Sequence, residues 1–444
     1  MQRRFVKPLS SDDGLRQLSR SDMKTLVLSA LGGALEFYDF IIYVFFAAVI
    51  GKLFFPADMP EWLRQLQAYG IFAAGYLARP LGGIVMAHFG DRFGRKRMFM
   101  LSVFLMALPT LGIGLLPTYV SAGLWAPLAL LLLRVLQGAA IGGEIPGAWV
   151  FVAEHVPTNR TGLACGSLTA GLTSGILLGS LVATALTRHY APDQVLAFAW
   201  RLPFLLGGVF GLVAVLLRRW LEETPVFEEL RRRKALAQEL PLKLVLRQHP
   251  MAVLRSILVT WLLTAAIVVV ILMTPTLLQK LYGVTAAQAL SANSVATLVL
   301  TLGCIGAGAL ADRFGPGAVL SCGCAMLLLC TYALYLGVAH DVTWLMPLYA
   351  LAGLFVAIVG VIPLVMVRSF PPAVRFSGLS FSYNVAYAIF GGFTPPVVSL
   401  LSKANPLGAA HYVAAMCVIG IAMGLWGLRR VSHALHLVQP EYPA

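Results

Sequence analysis

Crossing ~30 Å of hydrocarbon as a helix takes roughly 20 mostly apolar residues. Runs of that size recur twelve times in this chain, near residues 25–50, 68–89, 98–117, 123–152, 164–187, 199–219, 253–279, 290–311, 317–338, 343–367, 377–401 and 410–428. The pattern predicts an all-α polytopic membrane protein, because in lipid every backbone N–H and C=O must be satisfied within the helix itself. Composition agrees: 59 % of the 444 residues are hydrophobic and only 12 % charged, against about 25 % charged in soluble domains.

A net charge of +14 raises the question of a nucleic-acid partner, which the placement of the charges answers. With the N-terminus set in the cytoplasm, 25 of the 33 Lys and Arg fall on the cytoplasmic side, three inside spans, and five outside: Lys52, Arg64, Arg188, Lys280 and Lys403. This is the positive-inside signal. It sets the orientation, with both termini cytoplasmic, and leaves no need for a nucleic-acid partner. The opening "MQRRFVKPLSSDDGLRQLSRSDM" is polar and mixed in charge, so it reads as a retained tail, not a removable signal peptide. All six cysteines fall in apolar spans, and "CGC" at 322–324 has no His or carboxylate near it in sequence. They read as small hydrophobes, and no metal site is expected.

The stretch "RRWLEETPVFEELRRRKALAQELPLKLVLRQHP", from residue 218, is the longest polar segment. It divides the chain into a cytoplasmic tail (1–24), a six-helix bundle (25–219), a cytoplasmic central loop (220–252), a second six-helix bundle (253–430) and a short tail (431–444). The halves repeat each other. "AHFGDRFGRKR" (87–97) and "GALADRFGPGA" (308–318) share Asp-Arg-Phe-Gly about half a chain apart. Duplicated bundles of this kind place a binding site near mid-membrane at their interface.

Further motifs narrow the class. "GDRFGRKR" (90–97) resembles the loop signature of the major facilitator superfamily between spans two and three, and "RVLQG" (134–138) resembles its span-four signature. "EFYDF" (36–40), "ARPLGG" (78–83), "GGE" (142–144), "WRLPFLL" (200–206), "LEETPVF" (221–227) and "FPPAVRFSGLSFSYN" (370–384) resemble the metabolite:proton symporter family. That group takes up citrate, 2-oxoglutarate, shikimate, and proline or betaine. The resemblance runs from about residue 25 to 430 with the motifs in order. It implies the major facilitator fold, with pseudo-two-fold symmetry between the bundles, and uptake by alternating access driven by a proton gradient without a cofactor. Ala87 departs from the first Gly of the loop signature, and the second copy lacks the Arg-Lys pair. The chain also stops within about fifteen residues of the last span, without the coiled-coil tail of osmosensing betaine transporters, so an osmosensor is not expected.

Charged residues deep in spans occur only in the first half: Glu36, Asp39, Arg79, Arg134, Glu144 and, shallower, Arg201. A charge at a helix centre costs ~2.5–3.5 kcal/mol on insertion scales, so such groups face a protein interior or a watery cavity. Gly32, Glu36, Asp39 and Tyr43 line one stripe of span one, and Arg134, Gln137 and Glu144 share an arc of about 80° on span four. At ~1.5 Å per residue, Asp39 and Arg79 fall near the midplane, Arg134 ~6 Å outward and Glu144 ~9 Å toward the cytoplasm.

Two readings fit these acids. In one, Asp39 takes up and releases a proton as Arg134 approaches or withdraws, with Glu144 or Glu36 sharing the task. Proton-coupled members of the superfamily often pair a span-one acid with the span-four Arg, which favours it. In the other, the groups form a permanently ionised network that fixes helix packing; this is the favoured reading for Glu36.

Arg79 offers a planar fork to a substrate carboxylate, with Arg201 at the outer mouth attracting the anion. The alternatives are neutralisation of a nearby acid by Arg79 and a helix-end anchor for Arg201. Tyr43 and Gln137 on the charged stripes, and Asn293, Tyr383, Asn384 and Tyr387 in the second half, are candidate cavity liners or interhelical glue.

In the loops, Gly90 and Gly94 permit a tight turn, while Asp91 can pair with Arg92 or Arg95 or face a helix N-terminus of the other half, forming a cytoplasmic gate. Asp312 and Arg313 repeat the arrangement. Gly171, Gly175 and Gly179 on span five read as a close-packing stripe. That span lacks the Gly-Pro pair typical of proton-driven drug exporters, which favours import. The sequence therefore predicts a proton symporter for a small carboxylate-bearing metabolite, monomeric and in contact with membrane lipid. An antiporter or exporter of the same fold, or a non-transporting receptor, is the alternative. No metal motif, nucleophile–base arrangement or phosphate loop stands out on a polar segment, so no enzyme is expected.

Overall fold

The computed structural model describes residues 17–220, 222–232 and 241–436, and among these there are helices, turns and loops but no strand. Eleven described helices are long and apolar enough to cross a membrane: Arg20–Phe45, Leu66–Phe93, Lys96–Leu115, Trp125–His155, Thr158–Leu186, Pro250–Tyr282, Ala287–Phe314, Pro316–His340, Val342–Ser369, Pro372–Ala404 and Gly408–Gly427. The sixth crossing is a pair, Pro192–Ala199 and Arg201–Leu217, bent by 46°. Together they are the twelve spans that hydropathy predicts. Leu77, Leu81, Leu132 and Leu302 are each more than half exposed, as residues that face lipid must be.

Local chemistry starts and stops these helices. Ser19 accepts the Asp22 N–H at 3.1 Å and Asp22 accepts the Ser19 N–H at 2.8 Å, a reciprocal cap on the first span. Gly94 (φ 121°) and Gly315 (φ 84°) end the second and eighth spans in a region that side chains rarely enter. They occupy the same position of the duplicated motif, so the repeat read from sequence is a repeat of backbone geometry.

Lipid supplies no hydrophobic drive between helices, so close approach has to hold the bundle together. A Cβ on Gly142 of the fourth span would overlap the Arg79 carbonyl of the second, and one on Gly175 of the fifth would overlap the Ala34 carbonyl of the first. The two halves meet where the second span packs on the eleventh and the fifth on the eighth. Helices Pro225–Arg232 and Pro241–Gln248 lie between the halves in sequence and define a linker face; the opposite side is called the far face.

Candidate functional site

Five polar side chains predicted from the sequence, Asp39, Arg79, Arg134, Gln137 and Glu144, are each 1 % exposed. Four of them fall into two groups, Asp39, Arg134 and Gln137 in one and Arg79 in the other. Within the first half, Gln137 is the hub: its Oε1 accepts from Arg134 Nη1, and its Nε2 donates to Thr110 Oγ1 at 2.6 Å and to the Asp39 carbonyl at 3.4 Å. The Arg134 guanidinium lies 4.3 Å from the Tyr43 ring and 5.1 Å from that of Phe72. Asp39 turns its carboxyl toward the sixth span, into room left by Gly207 and Gly211. Neither carboxylate oxygen has a hydrogen-bond partner among the described residues. Asp39 and Arg134 are thus linked through Gln137 and do not form an ion pair.

The second group straddles the two halves. Arg79 Nε donates to Asn384 Oδ1 at 3.4 Å, and its guanidinium lies 4.5 Å from the Tyr387 ring, 5.3 Å from Tyr383 and 5.4 Å from Tyr76. Tyr76 and Tyr387 stack across the interface with centroids 5.9 Å apart. Asn384 Nδ2 donates to the Gly142 carbonyl at 2.6 Å, which ties the eleventh span to the fourth. Arg79 Nη2 is buried without a hydrogen-bond partner among the described residues. Beside this cluster, Phe37, Trp149, Thr169, Tyr383 and Tyr387 help line a cavity of about 40 Å³ between the halves.

Toward the linker face, two carboxylates reach across the interface. Asp91 of the second span accepts the Ser377 N–H of the eleventh at 2.9 Å, and Asp312 of the eighth accepts the Gly162 and Leu163 N–H groups of the fifth at 2.7 and 2.8 Å. Each sits at the first turn of a helix in the opposite half, where unsatisfied N–H groups and the helix dipole favour an anion. Arg375 adds a 3.0 Å ion pair to buried Glu154, whose other oxygen accepts from Thr224 at 2.9 Å.

The match to known sequences follows this geometry. Residues 30–396 match the Major Facilitator Superfamily. The chain belongs to that superfamily. It is 32 % identical to the shikimate transporter of Escherichia coli, covering 93 % of this chain and 96 % of that one. To the glycine betaine/proline/ectoine/pipecolic acid transporter of Dickeya dadantii it is 30 % identical, over 96 % and 87 % of the two chains. The proton:xylose symporter XylE shares the fold at a TM-score of 0.76 with 17 % identity, covering 92 % of this chain and 95 % of that one. The protein is a multi-pass membrane transporter of the major facilitator fold, and not an enzyme.

Other predicted residues lie elsewhere in the fold. Arg201 Nη1 donates to the carbonyls of Gly114 and Leu116 at 2.9 and 2.7 Å, so it caps the end of the third span. Asn293 accepts from Tyr349 at 2.7 Å within the second half, and Tyr43 donates to the Ala68 carbonyl at 3.0 Å. Arg92 and Arg313 are exposed, Gly90 packs against the Phe376 ring, and the side chains of Glu36 and Arg95 lie outside the described residues.

Sequence reasoning missed Tyr76, Trp149, Glu154, Arg375 and also Ser380, whose hydroxyl donates to the Gly83 carbonyl across the interface at 3.1 Å. Tyr76 was findable, since it stands one helical turn before Arg79. Glu154 and Arg375 sit at span ends, where a charge costs little and raises no signal.

Proposed function

We propose that the protein is a proton-coupled symporter that takes up a small carboxylate-bearing metabolite by alternating access. It acts as a monomer in a bacterial-type inner membrane, with the linker face cytoplasmic. The observation that carries this reading is Arg79. A guanidinium buried at the interface of the halves, flanked by aromatic rings and with Nη2 lacking a hydrogen-bond partner among the described residues, is built to receive an anion. Arg134 donates one N–H to Gln137 within the first half, whereas Arg79 stands at the interface of the two halves. The aromatic wall of Trp149, Tyr383 and Tyr387 suits an apolar or cationic body on the rest of the ligand. Shikimate, proline and glycine betaine, the substrates named for the relatives, each carry one carboxylate.

The proton belongs to Asp39 on this reading. A buried carboxylate without a hydrogen-bond donor among the described residues bears a large desolvation cost, which binding a proton removes. Opening of the far face wets the site for loading from the acidic side, and closure followed by opening of the linker face releases proton and substrate into the cell. The gradient is the driving force, and no cofactor is required.

The test is flux in proteoliposomes against a panel of mono- and dicarboxylates under pH gradients of either sign. A symporter accumulates a monocarboxylate when the outside is acidic. Accumulation only with the gradient reversed identifies an antiporter, and no flux with any compound identifies a receptor.

A further inference from the structure

Contacts between the second and eleventh spans form a continuous seam. Ser377, Ser380, Asn384 and Tyr387 recur every three or four residues along one face of the eleventh span. In order from the linker face they meet Asp91, the Gly83 carbonyl, Arg79 and Tyr76 of the second. Asn384 is the rung that touches the proposed carboxylate seat. Its Nδ2 donates to the Gly142 carbonyl at 2.6 Å and to the Ser380 carbonyl at 2.8 Å, groups that only accept, so the amide is fixed with Oδ1 toward Arg79. Oδ1 accepts from Arg79 Nε at 3.4 Å, a long bond, while Nη2 is buried without a hydrogen-bond partner among the described residues. Nε and Nη2 share one edge of the guanidinium, the edge that takes a carboxylate side-on through two parallel bonds. Asn384 therefore holds half of that edge. The cavity beside it is about 40 Å³, far below the ~300 Å³ at which ligand pockets begin, so a metabolite has no room until a side chain moves.

Given that Arg79 receives the substrate carboxylate, as proposed above, we infer that the carboxylate binds by displacing Asn384 Oδ1 from Arg79, and that this exchange transmits substrate occupancy to the seam at the linker face. The exchange favours the ligand. A charge-assisted bond is roughly twice as strong as a neutral one, and the carboxylate fills both Nε and Nη2 where the amide fills one. Displacement leaves Oδ1 buried without a donor, which is costly. Withdrawal of the eleventh span from the second relieves that cost, because water then reaches the amide. The ligand thus binds the open linker face better than the closed one, the differential affinity that any ligand-driven opening requires. Asn384 is a positioning residue: it competes with the substrate and does not hold it.

The test uses full-length protein in nanodiscs and acidic buffer, titrated with the monocarboxylates of the flux panel, shikimate, proline and glycine betaine among them. Two quantities are read: affinity, and the distance between spin labels at exposed Phe93 and Phe314 of the two halves. In the wild type a bound compound should lengthen that distance. Asn384→Ala removes the competitor, so the compound should bind about 10-fold more tightly, an ordinary size for coupling, and should no longer change the distance. Asn384→Asp tethers a carboxylate to the same edge, and affinity should fall by about 10-fold or more. Ser380→Ala, which removes a neighbouring rung and spares the Arg79 contact, should keep the ligand-driven change. Arg79→Gln reads the seat separately. If no compound binds the wild type, or Arg79→Gln binds as tightly, the seat fails and the exchange with it. If Arg79 is required but Asn384→Ala binds more weakly or still lengthens the distance with ligand, or Asn384→Asp binds like the wild type, the seat stands and the exchange is overturned.

Discussion

The Asp91 carboxylate accepts the backbone N–H of Ser377 at 2.9 Å, joining the second span to the first turn of the eleventh. Asp312 does the same from the eighth span to the fifth, so the repeat places one acid from each half on a helix start of the other. Charge-assisted bonds of this kind contribute about 1.5–3 kcal/mol. Asp91→Asn keeps the shape and loses the charge, and should shift the population toward an open linker face by about 1–2 kcal/mol. Spin labels at Phe93 and Phe314, equivalent exposed positions of the two halves, should report a longer distance in the variant. An unchanged distribution removes Asp91 from the gate.

Arg79→Lys retains the positive charge but loses the planar fork that lies over Tyr387. Affinity for the carboxylate taken up by the wild type should fall about 10- to 100-fold, in line with 1.5–3 kcal/mol for a hydrogen bond to a charged group. Calorimetric titration gives the number. Full rescue by Lys would mean that Arg79 supplies charge alone.

Asp39→Asn should abolish accumulation driven by a pH gradient while sparing exchange of labelled for unlabelled substrate, because exchange needs the conformational cycle but no net proton. Proteoliposome assays run in both modes separate the two. Gradient-driven accumulation at the wild-type level in the variant would assign the proton elsewhere.

Gly142→Ala forces a methyl group into the Arg79 carbonyl, at a crossing where neither backbone has room to move. The expected loss is about 1–3 kcal/mol, seen as a lower thermal midpoint in detergent. Gly306→Ala, whose added methyl meets nothing within 4 Å, should leave the midpoint unchanged or raise it.

Glu154 and Arg375 form an ion pair between the halves toward the linker face, with the Glu154 side chain fully buried and that of Arg375 17 % exposed. A double-mutant cycle of Glu154→Gln and Arg375→Gln on the spin-label distance should show coupling of about 1–3 kcal/mol. Additive effects would make the pair incidental to closure.

Span number, the division into halves and the buried charges were legible in the sequence, because a membrane admits few backbone solutions and makes each internal charge conspicuous. The duplicated Asp-Arg-Phe-Gly motif likewise announced its symmetry, and Gly94 and Gly315 show why: both carry a positive φ that ends a span. Side-chain direction within a stripe was not legible. Helical spacing set Asp39 and Arg134 at compatible depths, yet Gly207 and Gly211 draw the Asp39 carboxyl toward the sixth span, and Gln137 occupies the space between the pair. Arg201 was equally undecided until the carbonyl ends of the third span proved to be its partners. Periodicity in one helix constrains which face a residue occupies. Which neighbour stands opposite, and whether it leaves a donor for that residue, depends on contacts between segments up to hundreds of residues apart, as Arg79 and Asn384 illustrate, and only the packed bundle decides it.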